Sequence, residues 1–479
     1  MAANIIEDFT QFERAGIQAS NLCAGSVVHT KTFLQDNGRK AIKKLRVVVV
    51  GCGLGGLAAA YALGRAGHHI TILESSPFIG DIGAGIQVCP NLSRILIRWG
   101  LGSRLRNDTG EVIGMSRLEG KLDRNHGAPW YTLHRADLHG MLYSIAAPYM
   151  NLRLNSKVVA LHTENQDRPS VTLHTGEVIF ADLIIGADGI NSTMRNYVIG
   201  QKNIPLSIPT GDVAYRVVLP TDTFGDDAEL KALIEEPKIT CWIGPERHVV
   251  GYCIRERKEY NMVLIKPGDG HPYSWTAEGD PNEMRDGFTG WDPCLQKLLA
   301  RANEVLESKL LICEPLDTWI HPSGRVVLMG DSCHPMLPYR AQGSAMAIED
   351  AVVLGSLFSR ITHRSQIPHL LKAYERLRHP RVTATQAASA KNRDIYHVPY
   401  GTAEQERRDT AMKEAMALEL SSYEEWIRNG QREPFRSSSV AGNQWADAKK
   451  NDQQFNYDPE LAVERWWDAE GVDIVQSKL

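Results

Sequence analysis

Three glycines stand at the spacing of a phosphate cradle, Gly51-x-Gly53-x-x-Gly56, with a carboxylate at Glu74. In such a turn the first glycine permits the sharp exit from a strand. The second lets a pyrophosphate approach the backbone, and the third lets helix and strand pack closely. The helix that follows offers free N–H groups and partial positive charge to the phosphates. An acid about 20 residues on, at the end of a second strand, can bind ribose hydroxyls. Alone, the pattern leaves one dinucleotide open against another, and a ligand-free glycine turn is the plain alternative. Two further segments carry paired Asp and Gly: Asp182 to Arg195, DLIIGADGINSTMR, with Asp188-Gly189, and Gly330 to Pro338, GDSCHPMLP, with Gly330-Asp331. Gln342-Gly343 follows the latter and opens a helical stretch containing Glu349 and Asp350.

These groups need elements to hold them. RVVVV before Gly51 reads as a buried strand, LAAAYALGRAG after it as a helix, and HITILE as a second strand, which together begin a βαβ unit. Pro90 to Leu101 and His134 to Met150 read as helices, the latter opening on HRADL. LRLNSKVVAL, SVTLHTG and EVIFADLIIGADG read as a meander. From Asp212 to about Ile312, the runs VAYRVVL, ITCWIG, HVVGYCI and YNMVLI suggest an antiparallel sheet forming a second domain. Strand character returns at GRVVLMGDS, followed by helices over Gly343–Thr362 and Ile367–Ala390. Beyond Pro399 the chain is polar and helix-prone, with a break at Ser437–Ser439; this tail is expected to wrap the core or to be partly mobile.

The GD segment resembles the flavin-binding segment of the para-hydroxybenzoate hydroxylase family, and Asp182–Arg195 resembles that family's DG segment. PYRAQGSAMAIEDA, HRADLHGML, VAYRVVLP and WIGPERHVVGY followed by YNMV are most similar to its fungal salicylate hydroxylase-like branch. The resemblance spans roughly residues 45 to 390, a stretch of multi-domain size. It implies an α/β fold: a Rossmann-like FAD-binding domain with an inserted antiparallel-sheet substrate domain and a helical C-terminal region. The expected divisions are an N-terminal extension at 1–44, FAD-binding segments at 45–205 and 319–395, the substrate domain at 206–318, and a tail at 396–479. It also implies non-covalent FAD, NAD(P)H docking transiently, and oxygen inserted into an electron-rich aromatic ring. By the same resemblance Gly51, Gly53, Gly56, Glu74, Arg135, Asp188, Asp331, Pro338 and Gly343 bind the cofactor, and Arg195 joins Asp188 in linking FAD binding to NAD(P)H use. Ala341 departs from the glycine many relatives carry. Cys52 and Cys333 lie in binding loops but suit the role of small residues better than that of covalent flavin anchors.

On the substrate side, strand alternation puts Tyr215 and Arg216 on opposite faces, so one can face the flavin and the other the core or solvent. Both are candidate catalytic residues. Arg216 can pair with a phenolate or carboxylate, or equally form a strand-face salt bridge. Trp242, His248 and Tyr252 sit on neighbouring strands and read as packing residues, His248 in a turn-like PERH context.

A net charge of −4 gives no electrostatic case for nucleic acid or an acidic membrane. Eight scattered cysteines without a CxxC pair support neither a disulfide framework nor a zinc site, and buried reduced thiols are expected. No metal is called for, and no apolar run reaches the ~20 residues of a membrane helix. Ser477-Lys478-Leu479 matches a peroxisomal address, which implies an import receptor as partner; a cytoplasmic location is the alternative. The substrate expected is a small phenolic compound, salicylate or a substituted hydroxybenzoate, with decarboxylative hydroxylation among the outcomes. Alternatives are a larger phenolic or polyketide metabolite, a flavin reductase or oxidase without oxygen insertion, and a cofactor-bearing protein without turnover.

Overall fold

Four consecutive valines make β1 (Arg46–Val50) a strand that is apolar on both faces, and such a strand is buried only inside a covered parallel sheet. The structure, a computed structural model, places β1 at the centre of a five-stranded sheet of order β16-β9-β1-β2-β5. The others are β2 (His69–Leu73), β5 (Met150–Arg153), β9 (Leu183–Gly186) and β16 (Val326–Leu328), and every pairing is parallel. Helix Leu54–Arg65 leaves β1 directly, and helix Gly343–Phe358 packs against it so closely that a Cβ on Gly355 would lie 2.6 Å from that of Ala62. The described residues are 38–80, 83–105, 125–165, 168–200, 207–235, 238–268, 277–428 (backbone only over 415–427) and 447–471. The N-terminal extension up to residue 37, the Ser437–Ser439 break and the terminal Ser477-Lys478-Leu479 lie outside them.

A second, antiparallel sheet is inserted between β9 and β16. Its order is β11-β12-β13-β10-β15-β14, built from β10 (Ile208–Pro220), β11 (Thr240–Gly244), β12 (Arg247–Ile254), β13 (Glu259–Pro267), β14 (Ala277–Glu278) and β15 (Leu306–Ile312). Alternation gives it two faces. Val213, Tyr215, Val217, Val249, Met262 and Leu264 form one core with Phe224, Phe288 and the helix residues Leu295 and Leu298. The opposite face, with Ala214 and Ile265, packs on Leu337, Tyr339 and Tyr396. The described residues belong to one compact unit, within which the two sheets have separate cores.

Two expectations about elements change. The meander is confined to β6 (Val158–His162), β7 (Ser170–Leu173) and β8 (Val178–Phe180), because β5 and β9 join the parallel sheet. The fully buried LIIG run of β9 carried that signal. The helix from Ile367 continues to Tyr396 and accommodates Pro380 internally. Among the described tail residues, helices Ala448–Phe455 and Pro459–Trp466 start on Asp447 and Asp458 caps, and Val463 is buried in the main core. The seven cysteines among the described residues are all free thiols; Cys241, on the edge strand β11, is exposed rather than buried. No helix among the described residues is long and apolar enough to cross a membrane.

Candidate active site

The parallel order brings the three sequence segments together, because each follows the C-terminal end of a strand in the run β16-β9-β1-β2. Open α/β sheets bind ligands at that edge. Gly51 has φ +105°, and a Cβ there would lie 2.4 Å from the carbonyl oxygen of Ala187, the residue that opens the DG turn. A Cβ on Gly56 would meet the Gly51 carbonyl at 2.1 Å. A Cβ on Gly53 would meet nothing within 4 Å, so the turn is tight below and open above. No side chain caps helix Leu54–Arg65 at Gly53, which leaves its first-turn N–H groups for a ligand. That shape fits a pyrophosphate.

Glu74 follows β2 directly. Its Oε2 accepts from Cys52 N–H at 2.8 Å and its Oε1 from Ser76 N–H at 2.8 Å. The carboxylate thus ties the phosphate turn to the second strand while keeping lone pairs for ribose. His139 supports the same turn, bonded through Nε2 to the Cys52 carbonyl at 2.8 Å. Burial lowers its pKa, so the imidazole is neutral and Nε2–H donates.

The DG and GD segments are stapled by Arg195, almost fully buried. Its Nε donates to the Ser332 carbonyl (2.6 Å), Nη2 to that of Asp331 (2.7 Å) and Nη1 to that of Ile190 (2.9 Å). Asp188 spends its carboxylate inside its own turn, accepting from Ser192 Oγ at 2.5 Å and Met194 N–H at 3.0 Å. Asp331 lies at an open surface, yet enough protein surrounds its carboxyl to raise the pKa, opposed by His334, Arg135 and Arg195. Arg135 is the first residue of helix Arg135–Ala146, with burial pushing its pKa down and Asp331 pushing it up. Pro338 is exposed at the head of the turn Pro338–Arg340, and Gly343 is the first residue of its helix. Between them Ala341 adopts the left-handed conformation (φ +52°, ψ +39°), which costs a non-glycine residue about 1 kcal/mol.

Across this edge stands the Arg216 face of the second sheet. Arg216 Nη1 donates to Ser308 Oγ at 2.5 Å. Burial and the neighbouring Arg135 push its pKa down to about 10, with Tyr252 opposing. Tyr252 is buried beside Gln87 and Arg216, and burial raises its pKa, so the phenol stays protonated. Tyr215 does not reach the site. It points to the opposite core and bonds Glu283 Oε1 at 3.3 Å, as alternation along β10 requires. Trp242 also packs on that core. His248 lies on β12 rather than in a turn; its Nδ1 is 2.9 Å from His397 Nε2, and burial holds these two pKa values down to about 3 and about 4 respectively.

Several supports had little local sequence signal. Arg378, fully buried, bonds Asp350 Oδ1 at 2.7 Å and Glu349 Oε2 at 2.6 Å, while Asp350 Oδ2 accepts from Gly330 N–H and pairs with His334 Nε2 at 2.6 Å. The only hint was two acids inside an otherwise apolar helix; their arginine lies on another element. Ser332 Oγ donates to the Gly186 carbonyl at 2.7 Å and so binds the GD loop to β9.

Residues 44–389 match the family model described as FAD binding domain. The chain is 35% identical over 397 residues to the FAD-dependent monooxygenase OpS4 of Beauveria bassiana, covering 80% of this chain and 92% of that one. It is 33% identical to 6-hydroxynicotinate 3-monooxygenase of Bordetella bronchiseptica, covering 73% and 91%. Its fold is similar to a salicylate hydroxylase–substrate complex, with a TM-score of 0.65 at 23% identity over 88% of this chain and 97% of that one. The chain belongs to the FAD-dependent aromatic monooxygenase family, with FAD as its cofactor and NAD(P)H as cosubstrate.

Proposed function

We propose that this monooxygenase hydroxylates a small phenolic ring bearing an acidic group, of the salicylate or substituted hydroxybenzoate class. One observation carries the reading: a guanidinium, Arg216, stands on the sheet face opposite the cofactor edge, where burial and Arg135 disfavour its charge. An anionic ligand would reverse that penalty through a charge-assisted bond. The relative named for 6-hydroxynicotinate acts, by that name, on a hydroxylated ring acid, which agrees.

FAD, once reduced by NAD(P)H, supplies the oxygen activation. The chain's own residues supply the rest. Gly51, Gly53, Gly56 and Glu74 would hold the adenylate and pyrophosphate end, Asp331 and Arg135 the ribityl side, and the Pro338–Gly343 turn the ring. Arg216 binds and orients the acid, with Ser308 Oγ fixing the guanidinium. The protonated Tyr252 hydroxyl can donate to a phenolate oxygen, favouring the electron-rich form of the ring. Burial of Ala214, Ile265 and Tyr339 beside this face keeps its floor dry.

The test is a panel of phenolic acids and their methyl esters, scored by stimulated NAD(P)H consumption and by product mass. Product mass separates oxygen gain alone from oxygen gain with loss of carbon dioxide. Equal turnover of acids and esters would remove the role given to Arg216.

A further inference from the structure

The face of the second sheet that carries Arg216 is covered in two bands and open in the band between them. Along β13 every residue from Tyr260 to Ile265 is buried except Val263, and along β12 every residue from His248 to Ile254 is buried except Val250. These two valines are register partners. Val263 also pairs with Arg216 on β10, and Val250 with Cys241 on β11. Residues paired directly across antiparallel strands point to the same side, so Arg216, Val263, Val250 and Cys241 form one row across the sheet. Arg216 is half-buried like the valines, and Cys241 is exposed.

The rows on either side are closed. Ala214, Ile265 and His248 stand two residues along to one side, packed with Leu337, Tyr339 and Tyr396. Asn261 and Tyr252 stand two residues along to the other, covered by strand Gly85–Val88. There Asn261 Oδ1 accepts from Gly85 N–H at 2.6 Å, and a Cβ on Gly85 would lie 2.6 Å from the Tyr252 ring. The middle row is therefore the floor of a trench. Cys241 lies at its far end: solvent reaches the residue, yet enough protein surrounds the thiol to push its pKa up to about 12. Valines left half-open in a sheet covered on both faces forgo burial that an apolar ligand restores.

Strands stand ~4.8 Å apart, so three steps separate Arg216 from Cys241 by about 14 Å. A single ring with its acid group fills only the Arg216 end, and a trench one row wide suits a chain better than fused rings. We infer that the substrate is a phenolic acid with a linear hydrocarbon arm, its acid at Arg216 and its arm lying over Val263 and Val250 towards Cys241. The inference rests on the reading of Arg216 as the partner of the acid and adds what lies beyond the ring. Acid and arm then leave the ring on opposite sides, para to each other.

The experiment uses flavin-loaded full-length protein, titrated with salicylates that carry an alkyl chain, methyl to heptyl, para to the carboxylate, and with their methyl esters. Binding is read from the change in flavin absorbance. Each added methylene should tighten binding to the wild type roughly fourfold, the effect of burying about 0.8 kcal/mol of hydrocarbon, until the chain passes Cys241. Cys241→Phe, at an exposed position, should cut the heptyl-to-methyl affinity ratio at least tenfold. Val250→Phe, beneath the middle of the chain, should cut it further; if that variant does not fold, the wild-type series and Cys241→Phe decide. Affinity independent of chain length in the wild type would overturn the inference, as would a ratio that the folded variants leave unchanged. Esters that bind as tightly as the acids, with affinity still climbing along the series, would instead overturn the anchoring at Arg216 on which the inference rests.

Discussion

Replacing Arg216 with methionine separates substrate recognition from folding. Its pKa is pushed from 12.5 down to about 10. At about 1.36 kcal/mol per unit, the fold disfavours this charge by about 3 kcal/mol. For a base with a depressed pKa, that penalty is fully present at neutral pH and disappears only as pH rises through about 10. Removing the charge therefore relieves the folded protein, less about 1 kcal/mol for the lost Ser308 hydrogen bond. The melting temperature should stay level or rise, and FAD content should be unchanged. A bound anion contributes a charge-assisted bond worth about 1.5–3 kcal/mol, so kcat/KM for an acidic substrate should fall roughly 10- to 100-fold. The methyl ester of the same substrate should change little. Steady-state NAD(P)H oxidation on the acid–ester pair, with a thermal melt and a flavin spectrum of each protein, makes the comparison. An equal loss on acid and ester, or a loss of FAD, would refute the assignment.

Glu74→Ala and Asp331→Ala should each weaken FAD retention roughly tenfold or more, by loss of a charged acceptor; a double variant with full flavin occupancy on gel filtration would contradict both. His68, buried, accepts from Leu45 N–H through Nδ1 and lies 3.2 Å from the Phe358 carbonyl through Nε2, with its pKa held down to about 4. Below pH 6.5 the unfolded chain gains a proton that the folded one refuses, so stability falls by up to about 1.4 kcal/mol per unit between pH 6.5 and 4. His68→Gln should flatten that acid limb in melts from pH 7 to 4.5, and an unchanged slope would show that other groups set it. We also propose import into peroxisomes through Ser477-Lys478-Leu479. An N-terminal fluorescent fusion should be punctate and become diffuse without the last three residues; diffuse signal from both would refute it.

The strand–helix–strand geometry around the glycine turn was legible because its residues are local. Gly51, Gly53, Gly56 and Glu74 sit at fixed offsets around one strand–helix–strand unit, and Asp331 lies in a contiguous loop. Strand alternation separated Tyr215 from Arg216, but which of the two faced the site depended on which side of the sheet the helices cover. That is tertiary information. The strand at Leu183–Gly186 was read into a meander because a short apolar run does not reveal its partners. The buried Glu349–Asp350–Arg378–Arg381 cluster joins two helices, and the Gln342–Gln454 contact spans 112 residues. Neither leaves a periodic signal, since each depends on a crossing of elements far apart in the chain.

Catalysis under oxygen-18 gas tests the monooxygenase assignment most directly. With purified holoprotein, NAD(P)H and a phenolic acid that stimulates its oxidation, the product should carry one oxygen-18 atom per molecule. The unlabelled product expected from a reductase or an oxidase would contradict it.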